Sequence, residues 1–421
     1  MNASAAPDRA PRWGALAYSQ FRLYWAAQIF RVLGLQFRIF ALPWLVSVEL
    51  DKSPIWLSAV ALAASLPTIL LSVPAGLLAD RVNDQKLIVY SNGAYAVLAM
   101  ILPFLIFADL ANIWIVIAWA LLTGIVSALG NPALNSMMPR LIDMRVMPSA
   151  VALNSMVWSS MRIVGPAAAG MLLAWIGTGQ AFFVTAVGIG IATGLMAKLH
   201  PRPRALAGHG APGDGLWSGV QYIAREPLFL ATIGLSFFTS VFGSSYQFLL
   251  PVFADDILNV GAQGFGLMEA AAGVGSVLGT IAIVRVGSGP YAGRIMIASA
   301  AVFGLLIAAF AASRAMPLSL SLLFLSGLVS AMYLNIGMTT LQVKVPDELR
   351  GRVMGVWSMT WFLASVGSLP AGLLAEWLGA AWSVALGGLS VTAFGLVIFA
   401  LAPELRRLDT TRPEATSLAV D

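Results

Sequence analysis

Residues 74–80 read PAGLLAD and residues 370–376 read PAGLLAE, so one heptapeptide is used twice with a single change. The first copy runs on into Arg81 and a charged stretch, the second into Trp377 and Leu378. Both copies are small-faced and apolar, and so is most of what surrounds them. Of 421 residues, 59% are hydrophobic and 10% are charged, against roughly 25% charged in a soluble domain. A soluble chain this apolar could not cover its own surface with polar groups.

The apolar residues fall into twelve runs, at 23–48, 55–78, 87–108, 113–137, 147–175, 180–199, 228–253, 265–286, 292–312, 317–340, 353–377 and 380–401. Each is long enough to cross a hydrocarbon core of about 30 Å as a helix. Helices satisfy their own backbone polar groups in lipid, and the alternation of barrel strands is absent. The first run is too long for the apolar part of a signal peptide and no small-residue cleavage site follows, so it is expected to remain as the first membrane helix. The fold class is therefore an all-α membrane protein of twelve transmembrane helices.

Charge placement predicts orientation. With the N-terminus inside, internal segments hold nineteen of the 24 Lys and Arg residues, and external loops hold only Lys52 and Arg314. External loops carry Glu49, Asp51, Asp109, Asp255, Asp256 and Glu376 instead. Cytoplasmic loops concentrate Lys and Arg, so both termini are expected in the cytoplasm. The net charge of +5 is then a topology signal, and no soluble basic face exists for nucleic acid. This accounts for the heptapeptide's two sequels: the first copy ends a helix arriving at the cytoplasm, the second a helix arriving outside.

Two further repeats set the organisation. LTGIVSA (122–128) returns as LSGLVSA (325–331) at an offset of 203, and GMLLAWIG (170–177) as GLLAEWLG (372–379) at an offset of 202. Both offsets are near half the chain and preserve helix direction. The predicted plan is an N-terminal six-helix half at 1–199, a linker at 200–226, a second six-helix half at 227–402 and a tail at 403–421. Each half would hold two three-helix units of opposed direction, which explains the inverted heptapeptide and is a transporter plan.

With these features the chain resembles the major facilitator superfamily. GLLADRVNDQK (76–86) is similar to the superfamily's loop motif between helices 2 and 3, with Gly76, Asp80, Arg81 and Lys86 matching. Asp84 and Gln85 stand where basic residues are usual. The resemblance implies that this loop gates the cytoplasmic side during alternating access. Gly76 would permit close helix approach, and Asp80 would cap a neighbouring helix or pair with Arg81. RIVGPAAAG (162–170) resembles the Gly-Pro motif of helix 5 in drug:proton antiporters, with Ala169 replacing a usual Gly. Pro166 would bend that helix, and Gly165 and Gly170 would admit a neighbour. The same stretch, with FRIFALPWLV (37–46) and SPIWLSAV (53–60), is similar to the branch that contains enterobactin exporters and macrolide-efflux proteins. Ala120 occupies roughly the place where many antiporters carry an arginine in helix 4.

Few charges lie inside the predicted helices: Arg31 and Arg38 in helix 1, Arg162 in helix 5 and Glu269 in helix 8. Intramembrane charges are rare and usually face a cavity or partner. Arg31 and Arg38, seven residues apart, share one helix face. The resemblance implies that helices 1, 5 and 8 approach a central cavity, which would hold three cations and one carboxylate. Glu269 is the expected protonation site, because burial raises a carboxyl pKa and a nearby arginine lowers it; a structural Glu269–arginine pair is the other reading. Gln36, Asn154 and Asn335 would add polar contacts.

Catalysis finds no support. There are no cysteines and two histidines, and the single Lys-Ser pair, Lys52–Ser53, follows Asp51 rather than a glycine-rich loop. Phosphate-loop, thiol and metal chemistry are excluded by these routes, and no cofactor or metal is expected. The sequence thus predicts a secondary transporter of the bacterial inner membrane, driven by protons and acting as a monomer in the lipid bilayer. Its expected cargo is a bulky amphipathic or anionic small molecule, siderophore-like, carried outward. The alternatives are a multidrug or macrolide efflux pump conferring drug resistance by antiport, and a non-transporting membrane sensor or scaffold.

Overall fold

The computed structural model describes residues 14–202, 216–286 and 289–409. Among them, twelve helices are long and apolar enough to cross a membrane. They are α1 (Ser19–Glu49), α2 (Pro54–Arg81), α3 (Asp84–Phe107), α4 (Ile113–Arg140), α5 (Met144–Ile176), α6 (Thr178–Ala197), α7 (Pro227–Ile257), α8 (Gly261–Val286), α9 (Ala292–Ala312), α10 (Met316–Lys344), α11 (Leu349–Leu378) and α12 (Ala380–Leu401). A short helix, Leu216–Arg225, precedes α7.

Local chemistry sets the helix ends. Asn83 caps α3 by accepting from the backbone N–H groups of Gln85 and Lys86, and Asn112 caps α4 by accepting from that of Ile115. Such caps satisfy donors that the first helical turn cannot use internally. Pro43 lies near the end of α1, where the last residues, Leu45–Glu49, widen into a π turn. A proline lacks the N–H that would close the regular ladder, which makes this a natural place for the irregularity.

The half-chain repeat is visible in backbone geometry. GMLLAWIG and GLLAEWLG end on Gly177 (φ +86°) and Gly379 (φ +88°), each forming the sharp junction between two helices. Positive φ is costly for a residue with a Cβ, so glycine is required at both junctions. LTGIVSA and LSGLVSA place Gly124 and Gly327 at equivalent crossings. A Cβ on Gly124 would lie 2.5 Å from the Ala64 carbonyl oxygen of α2, and one on Gly327 would collide with the Ala272 carbonyl oxygen of α8. Helix pairing repeats as well: α3 packs on α4 and α6, and α9 on α10 and α12.

The chain divides into two compact units, unit 1 covering 1–42 and 63–208, and unit 2 covering 43–62 and 209–421. The division differs from the predicted halves because Pro43–Leu62 groups with unit 2. In that unit, Trp44 stacks on Phe265 at 6.0 Å between ring centroids, and the Ser58 hydroxyl donates to the Ser368 carbonyl oxygen at 2.5 Å. Gly372, in the second heptapeptide, lies against Ser58 and Pro54.

Phe21, Ile88, Met137, Ile142 and Met196 are among the buried core of unit 1. Unit 2 buries an aromatic chain in which Phe253 meets Phe310, Phe310 meets Tyr246, and Phe303 meets both Tyr246 and Tyr333. Trp114, Trp175, Trp377 and Trp382 are exposed near the ends of their helices, as interfacial aromatic residues are in a bilayer.

Candidate functional site

α1 carries polar residues on successive turns, and several of them bond to neighbouring helices. The Trp25 indole donates to the Leu153 carbonyl oxygen at 3.1 Å. Gln28 donates to the Tyr24 hydroxyl at 3.3 Å and to Asn154 Oδ1 at 3.4 Å. Arg31 Nη2 donates to Asn131 Oδ1 of α4 at 3.2 Å, and Gln36 Nε2 donates to the Met161 carbonyl oxygen of α5 at 3.3 Å. Close approach of α1 and α5 depends on Gly165, where a Cβ would lie 2.7 Å from Gln36 Cβ. Pro166 and Gly170 are buried in the same unbroken helix.

Arg31 borders a cavity of about 30 Å³ between α1, α3, α4 and α6, with Ser91, Asn92, Tyr95, Ser127 and Asn131 as its other polar walls. Tyr95 is 5% exposed and its buried hydroxyl has no hydrogen-bond partner. The Nε of Arg38, two turns beyond Arg31, is likewise buried without a partner. Neither arginine forms an ion pair with a described carboxylate. Arg162 is exposed halfway along α5.

Of the predicted site residues, the structure gathers Arg31, Gln36 and Asn154 along the contacts of α1. Glu269 and Asn335 belong to unit 2. Glu269 is half-buried in the first half of α8. Asn335 donates to Thr280 Oγ1 at 3.3 Å and to the Ala331 carbonyl oxygen at 2.7 Å. Tyr95, Asn131 and Gln28 were not anticipated from sequence. A lone tyrosine or amide in an apolar run reads as packing, and only the meeting of α1 with α3, α4 and α5 gives these residues a common role.

The loop motif has a similar outcome. The side chains of Gly76, Asp80 and Arg81 lie outside the described residues, although helix α2 continues to Arg81. Lys86 is exposed, and its backbone N–H donates to Asn83 Oδ1 at 3.3 Å. The two departures from the motif carry the contacts. Asp84 forms an ion pair with Arg140 at 2.5 Å and accepts from the Ser136 hydroxyl at 3.1 Å. Gln85 Nε2 donates to the carbonyl oxygens of Ala197 (3.1 Å), the last residue of α6, and Leu199 (2.5 Å) just beyond it. Arg140 Nε donates in turn to the Arg202 carbonyl oxygen at 2.8 Å, and Arg202 Nη1 donates to Asp143 Oδ1 at 2.7 Å. The Tyr18 hydroxyl donates to Asp143 Oδ2 at 2.7 Å. Hydrogen bonds from Tyr18 and then Arg202 hold the Asp143 carboxyl below its usual range, and the same bond raises the Tyr18 phenol. One network therefore joins the ends of α3, α4 and α6 to the approach to α1 and to the first residues of the linker.

A family model described as "Transmembrane secretion effector" matches residues 10–417. The chain belongs to this family of the major facilitator superfamily. Similar curated proteins include the staphyloferrin A transporter of Staphylococcus aureus, 24% identical over 355 residues, covering 84% of this chain and 89% of that protein. The enterobactin exporter EntS of Escherichia coli O157:H7 is 25% identical over 349 residues, covering 81% of this chain and 82% of that one. Among solved structures, the nucleoside transporter NupG superposes with a TM-score of 0.70 at 14% identity, over 91% of this chain and 98% of that one. A bacterial homologue of the lysosomal transporter Spinster gives 0.69 at 14% identity, over 92% and 98%. The major facilitator fold, with its twelve membrane helices, is thus established. The protein is a multi-pass transporter of the bacterial inner membrane, not an enzyme.

Proposed function

We propose that this transporter is a proton-coupled exporter of a bulky anionic compound of siderophore type, working by alternating access as a monomer with cytoplasmic termini. The observation that carries the reading is the pair of α1 arginines, Arg31 and Arg38, inside the membrane region with no ion-pair partner among the described carboxylates. An uncompensated intramembrane guanidinium costs free energy, and an arriving anion offsets that cost. Arg162, exposed midway along α5, is assigned a third anion contact. The names of two curated relatives, a staphyloferrin A transporter and an enterobactin exporter, support the choice of cargo.

In this mechanism the predicted halves, 1–199 and 227–402, rock about the cargo, with the linker at 200–226 between them. Glu269 carries the coupling proton. It is an acidic residue set well inside a helix and half-buried there, and an intramembrane carboxyl group is the usual carrier of a coupling proton. Gln36, Asn154 and Asn335 position helices around the route. The motif residues Gly76, Asp80, Arg81 and Lys86 bias the cytoplasmic gate, and Pro166 with Gly165 and Gly170 lets α5 flex against α1.

The test compares small molecules inside and outside the native host, with and without the protein, under iron limitation and iron excess. Intracellular build-up of an anionic chelator in the strain lacking the protein is the expected result. Unchanged native metabolites, together with raised sensitivity to macrolides or dyes, would replace this reading with a drug efflux pump.

A further inference from the structure

We propose that the cavity inside unit 1 is a carboxylate subsite, in which Arg31, Asn131 and Tyr95 hold one carboxylate group of the cargo. This deepens the export reading and rests on it for the identity of the cargo.

Asn131 Oδ1 already accepts from Arg31, so its amide NH₂ remains as the donor side of that residue. Arg31 uses Nη2 in that bond, and the rest of its five-donor fork makes no second hydrogen bond to a described residue. Tyr95 lines the cavity, and its hydroxyl is buried and has no hydrogen-bond partner among the described residues. The Ser91 hydroxyl donates to the Ile88 carbonyl oxygen, and the Asn92 amide faces Met196 Sδ at 3.4 Å, so these two walls are already engaged. What remains is a cationic fork, an amide and a phenol, each able to donate, beside the Ser127 hydroxyl and with no carboxylate on the cavity wall. Three donors around one small space match an acceptor-only group.

Size and shape narrow the choice. About 30 Å³ is room for about two waters, which one carboxylate can displace. The planar guanidinium matches two oxygens side by side, whereas a spherical halide makes no use of the plane. A phenol hydroxyl left dry costs more than one that donates to an anion, so occupancy also relieves Tyr95.

The full-length protein, purified in detergent, is titrated with sodium acetate as the minimal probe and with sodium chloride as the inorganic alternative. Ionic strength is held constant with a bulky sulfonate, and thermal unfolding is followed by tryptophan fluorescence. Saturable stabilisation by acetate, stronger than by chloride, is expected. Each lost charge-assisted hydrogen bond should raise the half-saturating concentration about tenfold or more, so Tyr95→Phe shows that shift and Arg31→Gln a larger one. Arg31→Lys, which keeps the charge and loses the fork, should fall between the wild type and Arg31→Gln and guards against misreading a misfolded glutamine variant. Preferential binding of chloride overturns the carboxylate assignment, and half-saturation unchanged in both Tyr95→Phe and Arg31→Gln overturns the site. Efflux by the same variants separates the two claims. Full export by Tyr95→Phe after acetate binding is lost would remove the subsite while leaving the exporter. Acetate binding in a protein that exports no native anion would sustain the cavity and remove the exporter.

Discussion

Cutting the Asp84–Arg140 pair should destabilise the protein asymmetrically. The Asp84 side chain is 1% exposed and that of Arg140 is 18% exposed. Breaking a buried pair by removing one partner costs about 3–5 kcal/mol, because the survivor keeps its desolvation penalty. Arg140→Ala leaves a carboxylate with almost no access to water that still accepts from Ser136, so a cost of about 3–5 kcal/mol applies. Asp84→Ala leaves a guanidinium that reaches solvent and still donates to the Arg202 carbonyl oxygen, so its cost should be lower, about 2–3 kcal/mol after discounting for that exposure. In a unit of 150–250 residues, 1 kcal/mol moves Tm by roughly 2–4 °C. Arg140→Ala should then lower Tm by about 6–20 °C, and Asp84→Ala by about 4–12 °C. Tryptophan-detected unfolding of the two single variants, the double variant and the exchanged pair Asp84→Arg/Arg140→Asp completes the cycle. The exchanged pair should recover part of the loss, and the double alanine variant should cost less than the two singles together. Additive losses, or shifts of no more than about 1 °C in both singles, would refute the account of these two residues as one buried unit.

Other expectations follow from the same geometry. Glu269→Gln should abolish flux driven by a pH gradient while leaving cargo binding in place; undiminished pH-driven flux removes Glu269 as the coupling site. Arg162→Ala should weaken an anionic cargo about tenfold more than a neutral one of similar size, in line with the loss of a charge-assisted hydrogen bond, and equal losses would make Arg162 structural. Gly327→Leu, forced against the Ala272 carbonyl oxygen, should cost about 1–3 kcal/mol or more, whereas Gly351→Ala, with no atom within 4 Å of its Cβ position, should leave Tm nearly unchanged. Because the Asp143 pKa is lowered in the folded protein, its bonds to Tyr18 and Arg202 are present above the ordinary carboxylate range and are lost as pH falls through the lowered value. Tyr18→Phe removes the largest cause of that shift, so acid loss of stability should begin nearer pH 4, about the ordinary Asp value; identical acid profiles for variant and wild type would argue against the link.

The fold was legible because its signals are local and repeated. Runs of apolar residues fix the helices, and two phrases spaced by half the chain end on Gly177 and Gly379 or pack at Gly124 and Gly327, where backbone geometry admits no side chain. The site was legible in part. Arg31, Arg38 and Arg162 stand out because charge inside an apolar helix has no cheap explanation. Tyr95 and Asn131 carry no such mark, since their polarity is small and their meaning depends on which helix faces them. Asp84 was visible only as a departure from the motif. Its partner Arg140 lies 56 residues away, on a different helix, and no spacing rule joins the two. The assignment of Pro43–Leu62 to unit 2 is equally tertiary, set by contacts such as Trp44 with Phe265 and Ser58 with Ser368.

The most direct test of the central claim is transport in everted inner-membrane vesicles, with the anionic chelator recovered from the native host as substrate and an imposed proton gradient as the only energy source. Accumulation that requires this protein, collapses when the gradient is dissipated, and falls in Glu269→Gln and Arg31→Gln is the expected result. Accumulation that persists without the gradient, or that favours neutral dyes over the anion, would contradict it.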